Sequence, residues 1–142
     1  MSTVALIDST AQRSRGLNIA LWVAQVLLAA LYGAAGFMKS TMPIAALAAM
    51  MKWPALVPAG LVRFIGAAEL AGAVGIILPA ALRIAPGLTT AAAVGLALIQ
   101  ILAIPFHVYH GESEMLPVNT VLLALAVFVV WGRMRKSPIR SR

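Results

Sequence analysis

Apolar residues in this chain come in long uninterrupted blocks, and the blocks repeat four times. They cover about Leu17–Met38, Leu61–Leu78, Leu88–Phe106 and Pro117–Trp131. Neither strict alternation nor a narrow one-sided stripe describes them, so surface strands and soluble amphipathic helices are poor fits. As helix, about 20 such residues cross the hydrocarbon core of a bilayer. The expected fold is therefore all-α: a polytopic four-transmembrane-helix bundle, with residues 17–132 as one membrane domain. Residues 1–16 form a polar, basic tail before it and residues 133–142 a basic tail after it.

The connections differ in character. Residues 39–60, KSTMPIAALAAMMKWPALVPAG, are apolar but broken by proline. They predict a short interfacial helix between spans one and two, capped by Ser40 or Thr41, with Pro43 in its first turn. It ends near Trp53, before Pro54. Too short to span, it lies in the interface or tucks back, with Trp53 as a headgroup-level anchor. Pro79, Arg83, Pro86 and Gly87 mark a tight link. Residues 107–116, HVYHGESEML, form the most polar internal loop. Small residues recur every four positions at Ala67, Ala71 and Gly75, at Ala68 and Gly72, and at Ala91 and Gly95. This spacing suits close helix packing in lipid.

Composition agrees. The chain is 62% hydrophobic and 11% charged, against about 25% charged residues in soluble domains. The first block follows Arg13 and Arg15 as a signal peptide would, but it is too long and carries Gln25 and Tyr32, so it reads as a retained helix. The absence of cysteine excludes disulfides, thiol relays and thiolate metal sites. A net charge of +7 raises nucleic acid as a partner. The cations instead sit at the ends of apolar blocks, five of the eleven in the last ten residues, which suits lipid headgroups. Arg13, Arg15, Arg83, Arg133, Arg135, Lys136, Arg140 and Arg142 fall on one side of the four spans. By the positive-inside rule both termini are cytoplasmic.

The candidate chemistry begins with Glu69, alone in the apolar run LVRFIGAAELAGAVGIILPA. An ionised side chain at membrane depth costs about 3 kcal/mol or more on lenient scales, so it needs a partner or a role. Glu69 on span two, Tyr32 on span one and Gln100 on span three lie roughly 9–12 Å in from the same end. Lys39, Arg63, His107 and Asn119 lie at or near that edge. Gln25, Tyr32, Gly36 and Lys39 share one helical stripe, and Gln100 shares a face with His107. Arg63 is six residues from Glu69, poorly phased to pair with it directly, so the candidates to complete Glu69 are Lys39 across the helices, Arg63 through a water, or a ligand.

Each group also has a plainer role. Arg63 taken alone is expected to snorkel to headgroups. His107 and His110 read as interface histidines; with Glu112 and Glu114 nearby they match no specific zinc spacing, so no metal site is assigned. Asn119 after Pro117 starts a helix and hydrogen-bonds across helices. For Glu69 the alternative to a functional role is a structural ion pair that sets helix register.

Several short motifs carry a family resemblance. They are Gly36-Phe37-Met38-Lys39 closing span one, Arg63-Phe64-Ile65-Gly66-Ala67-Ala68-Glu69 with Gly72 in span two, His107 closing span three, and Leu116-Pro117-Val118-Asn119 opening span four. In order and spacing the chain resembles the DoxX-like family of small four-helix bacterial membrane proteins, over about residues 17–132. The resemblance implies an internal polar cluster of Lys39, Arg63, Glu69, His107 and Asn119. It also implies a link to quinone-linked redox systems, in which this cysteine-free chain would be an accessory or binding component. On that view Glu69, Tyr32, Gln100 and Lys39 contact the head group of a quinone- or lipid-like molecule, and the partners are the bilayer, a redox-enzyme subunit and further copies of the chain. The alternatives are a catalytic oxidoreductase subunit that needs a partner and a proton-coupled transporter or channel using Glu69.

Overall fold

The computed structural model describes the backbone of residues 3–142, and side chains from Ala11 onward apart from Arg13. Five α-helices account for most of the described chain: α1 (Thr3–Thr41), α2 (Ile44–Met51), α3 (Ala59–Leu82), α4 (Gly87–Tyr109) and α5 (Leu116–Trp131). Short 3₁₀ turns at Trp53–Ala55 and Ser113–Met115 precede α3 and α5, and a π-helical turn, Gly132–Lys136, extends α5. Four stretches are long and apolar enough to cross a membrane: Ser14–Thr41, Ala59–Leu82, Gly87–Tyr109 and Ser113–Lys136. The spans exceed their sequence-based limits at most ends. The helix begins well before Leu17, α3 runs through Pro79 to Leu82, and α4 runs through Pro105 to Tyr109.

The four long helices close into a ring, with α1 against α3, α3 against α4, α4 against α5 and α5 back against α1. One stripe of each helix turns inward. On α3 it is Val62, Gly66, Glu69, Ala73, Ile76 and Ala80, in steps of four and three residues. Apolar residues then cover the outside as well: Phe64, Leu102 and Phe37 are 69%, 73% and 61% exposed. In water such a surface would drive aggregation; in hydrocarbon it is the matching solvent.

Close backbone approach occurs at particular glycines. A Cβ on Gly36 of α1 would stand 2.7 Å from the Gly66 carbonyl oxygen and 2.9 Å from the Leu70 nitrogen of α3. On the other side of α3, Gly72 admits the Leu96 side chain and Gly75 admits Ala92. The other small-residue repeats serve no such contact: Ala67, Ala71, Ala91 and Gly95 are exposed, and nothing approaches the Gly95 Cβ position.

The link between α1 and α3 differs from the sequence reading. Thr41 ends α1 rather than capping α2, and its hydroxyl donates back to the Phe37 carbonyl at 2.7 Å. Pro43 occupies the N-cap of α2 without a side-chain cap. Trp53 is buried in a second apolar cluster with Leu47 and Val62, supported by Met38, Met42, Ile65 and Phe106. The short helix is thus folded against the end of the bundle, and the tryptophan serves packing instead of anchoring at the headgroups.

Candidate functional site

Three antiparallel crossings give the bundle two distinct ends. The basic end holds the α3–α4 link and the C-terminal tail, whose Arg142 amide donates to the Arg83 carbonyl at 3.1 Å. The opposite end holds the α1–α2–α3 link and the α4–α5 loop, and is called the loop end below.

Glu69 finds its partner near the loop end. Both of its oxygens accept from the Lys39 ammonium, at 2.7 and 2.8 Å, with Glu69 3% and Lys39 8% exposed. The Gly36–Gly66 crossing makes this contact available. Each charged residue lies three positions after its glycine, on the same face. Side chains on a helix lean toward its N-terminus. Because α1 and α3 run in opposite directions, Lys39 leans down and Glu69 leans up, toward one another. The Lys39 ammonium also sits 5.7 Å from the centre of the Trp53 ring, a cation–π contact that closes the pair from the end of the bundle.

Arg63 does not join this pair. Its guanidinium donates to the Lys39 and Met42 carbonyls, which lie at and beyond the C-terminal turn of α1. Those carbonyls have no partner within a helix, so Arg63 caps α1 instead of snorkelling to headgroups.

One layer deeper, Gln100 Nε2 donates to the Tyr32 hydroxyl at 2.6 Å, and that hydroxyl donates to the Leu96 carbonyl at 3.3 Å. The bond joins α1 to α4 across the diagonal of the bundle. At the rim, His107 Nδ1 lies 2.6 Å from Glu112 Oε2, both buried, and the Glu112 amide donates to the His107 carbonyl. Asn119 is 8% exposed on α5. Among the described residues, four buried side-chain atoms at this end have no partner in the structure: Ser40 Oγ, beside Gly66 in the α1–α3 crossing; Gln100 Oε1, an acceptor; Glu112 Oε1, an acceptor; and Asn119 Nδ2, a donor. Among the described residues no group of three metal-ligating side chains converges.

A second polar cluster occupies the basic end. Arg133, 4% exposed, donates from Nε to Gln25 Oε1 at 2.8 Å and from Nη1 to Asn18 Oδ1 at 2.7 Å and the Ser137 carbonyl at 3.1 Å. Its guanidinium lies 5.5 Å from the Trp22 ring. Gln25 Nε2 in turn donates to the Ile76 carbonyl at 2.7 Å. Gly132 makes room for this contact, because a Cβ there would run into Leu21 of α1.

The expected set of seven residues is therefore distributed. Lys39 and Glu69 meet, Tyr32 and Gln100 meet, Arg63 caps a helix, and His107 and Asn119 are buried nearby. Glu112 and Arg133 are functional-looking residues outside that set. Arg133 continues the buried phase Asn119, Ala126 and Val129 of α5, a signal present in the sequence but masked by the surrounding basic tail. Glu112 carries no such signal, since its neighbour Glu114 has the same chemistry. Glu114 is instead exposed and bound to Lys52 at 2.6 Å, a hydrogen bond and charge that push the Lys52 amine above its usual range.

A ring of four apolar spans with a buried charge pair and paired amides inside defines a polytopic α-helical membrane protein with a polar interior. The chain belongs to the DoxX-like family, whose family model matches residues 23–129. Comparison with curated proteins and with solved structures finds no match.

Proposed function

We propose that the protein is an accessory, non-catalytic component of a membrane redox system, and that its loop end holds the polar head of a quinone- or lipid-like molecule. The observation that carries this reading is that Gln100 Oε1, Glu112 Oε1 and Asn119 Nδ2, three of the four buried, unpartnered atoms at that end, lie on α4, α5 and the loop between them. A buried polar atom without a partner costs about 1–3 kcal/mol. A carbonyl or hydroxyl of a bound head group would offset that cost, while the apolar spans hold the tail. Lys39 and Glu69 pair with each other and act as the charged wall of the site. In this reading the loop end faces outward, the basic end faces the cytoplasm, the membrane is the bacterial inner membrane, and further copies or a redox-enzyme subunit are the protein partners.

Proton-coupled transport through Glu69 is the weaker reading, because both carboxylate oxygens are engaged by one ammonium. A purely structural ion pair is favoured by the same contact, and the two are separated at Asn119, which has no part in the pair. Asn119→Leu removes an unpartnered donor while keeping the number and branching of side-chain heavy atoms, so melting temperature in detergent is expected to hold or rise. Binding of a short-chain ubiquinone analogue, read by quenching of Trp53, is expected to weaken tenfold or more, roughly the worth of a buried hydrogen bond. Unchanged quinone quenching in Asn119→Leu, or none in the parent protein, would overturn the proposal.

A further inference from the structure

The outer face of α5 carries two adjoining apolar grooves. The first, about 500 Å³, is lined by Thr120, Leu123, Ala124, Val127, Phe128 and Trp131. The second, about 560 Å³, shares Val127 and Trp131, continues past Val130 and Met134, and ends between Arg135 and Lys136. From Thr120 to Trp131 the groove runs for roughly 16 Å, about the depth of one leaflet of a 30 Å hydrocarbon core. Trp131, 45% exposed, stands at the junction of the grooves, where an indole suits the boundary between acyl chain and headgroup.

The cations at the foot of the groove are held in place. Arg133 ties the π-helical turn to Asn18 and Gln25 of α1, and the Ser137 amide closes the turn onto the Gly132 carbonyl at 2.7 Å. Arg135 and Lys136 are left exposed on that turn. Arg83 Nε donates to the Arg140 carbonyl at 3.1 Å, and the Arg142 amide bonds Arg83, which draws the rest of the basic tail across the same end. No described carboxylate bonds any of these cations.

We propose that this groove and its basic turn are a site for an anionic phospholipid of the leaflet at the basic end. One acyl chain lies along Thr120–Trp131, and the phosphate rests on Arg135 and Lys136. The apolar length, the interfacial indole and an unneutralised positive pair at one end together match that molecule. A zwitterionic lipid would fill the groove equally well and gain less from the cations. Arg133 acts through position, holding the turn that presents its neighbours.

The test is tryptophan quenching in nanodiscs of mixed phosphatidylglycerol and phosphatidylcholine, with bromine on the acyl chains of one or the other. Trp131→Phe isolates the Trp131 signal by difference. In the wild-type chain, brominated phosphatidylglycerol is expected to quench Trp131 well beyond its mole fraction. Each cation near an anionic headgroup raises binding about fivefold. The exposed double variant Arg135→Gln/Lys136→Gln should bring the preference close to one, at unchanged helical content. High salt should weaken it by screening. Quenching that follows mole fraction in the wild type, or a preference that survives the double substitution, overturns the proposal. So does a preference abolished by inorganic phosphate at constant ionic strength, which would assign the cations to a free anion.

Discussion

Lys39 and Glu69 make the pair on which the loop end depends, and its energetics can be tested one residue at a time. Replacing either partner alone strands a charge in a low-dielectric interior. Lys39→Met is expected to destabilise the bundle by about 3–5 kcal/mol, and the double variant Lys39→Met/Glu69→Met to recover most or all of that loss. Unfolding in mixed detergent micelles measures both. A single substitution that costs no more than the double would mean that the second charge is already compensated by another group. The Tyr32–Gln100 bond is expected to behave more mildly, since both groups are neutral. Among single residues, Trp53 shows how context reverses an expectation. An indole beside prolines reads as an interface anchor, but here it shields the charge pair at 5.7 Å.

At the scale of helices, α1 and α3 are held at a distance that only glycine permits. Gly36→Ala would place a methyl against the Gly66 carbonyl and the Leu70 amide, which are backbone atoms and cannot rotate away. A loss of about 1–3 kcal/mol follows from such overpacking, with Lys39 lifted from Glu69. Gly95→Ala is the matched control: nothing lies within 4 Å of that position, and it sits inside α4. It should be neutral or stabilising by about 0.5–1 kcal/mol through helix propensity. Thermal unfolding of the two variants side by side checks the crossing, and equal effects would remove it as the reason for Gly36. The same comparison explains why the four-residue spacing in the sequence found Gly72 and Gly75, which make close contacts, but also Ala67, Ala71, Ala91 and Gly95, which make none, and missed Gly36 and Gly66. In alanine-rich spans that spacing also arises on faces that meet only lipid, as at Ala67 and Ala71.

For the molecule as a whole, the proposed orientation has a direct test, because the chain has no cysteine to confuse labelling. Single cysteines at Ser113, exposed beside the α4–α5 loop, and at Ser137, after the π-helical turn, lie at opposite ends of the bundle. In intact cells a membrane-impermeant maleimide is expected to label Ser113→Cys and to reach Ser137→Cys only after permeabilisation. The opposite pattern inverts the orientation, and labelling of both in intact cells contradicts the four-span topology.

The four spans and the sorting of cations to one end were legible in the chain, because bilayer thickness and headgroup charge act on each segment separately, but the helix ends were not, since α3 and α4 run on through Pro79 and Pro105. The inward stripe of α1 and the Gln100–His107 face were legible for the same reason, since helical phase is a local property. Which groups meet was decided only by the tertiary structure. Lys39 was one of several candidate partners of Glu69, and the contact exists because the Gly36–Gly66 crossing brings two antiparallel helices together with their side chains leaning toward each other. Arg63 and Arg133 had the same chemistry on paper as the surface cations around them. The half-burial of Arg63 follows from carbonyls at and just beyond the end of α1, and the burial of Arg133 from amide side chains on α1, groups that become neighbours only when the ring of helices closes.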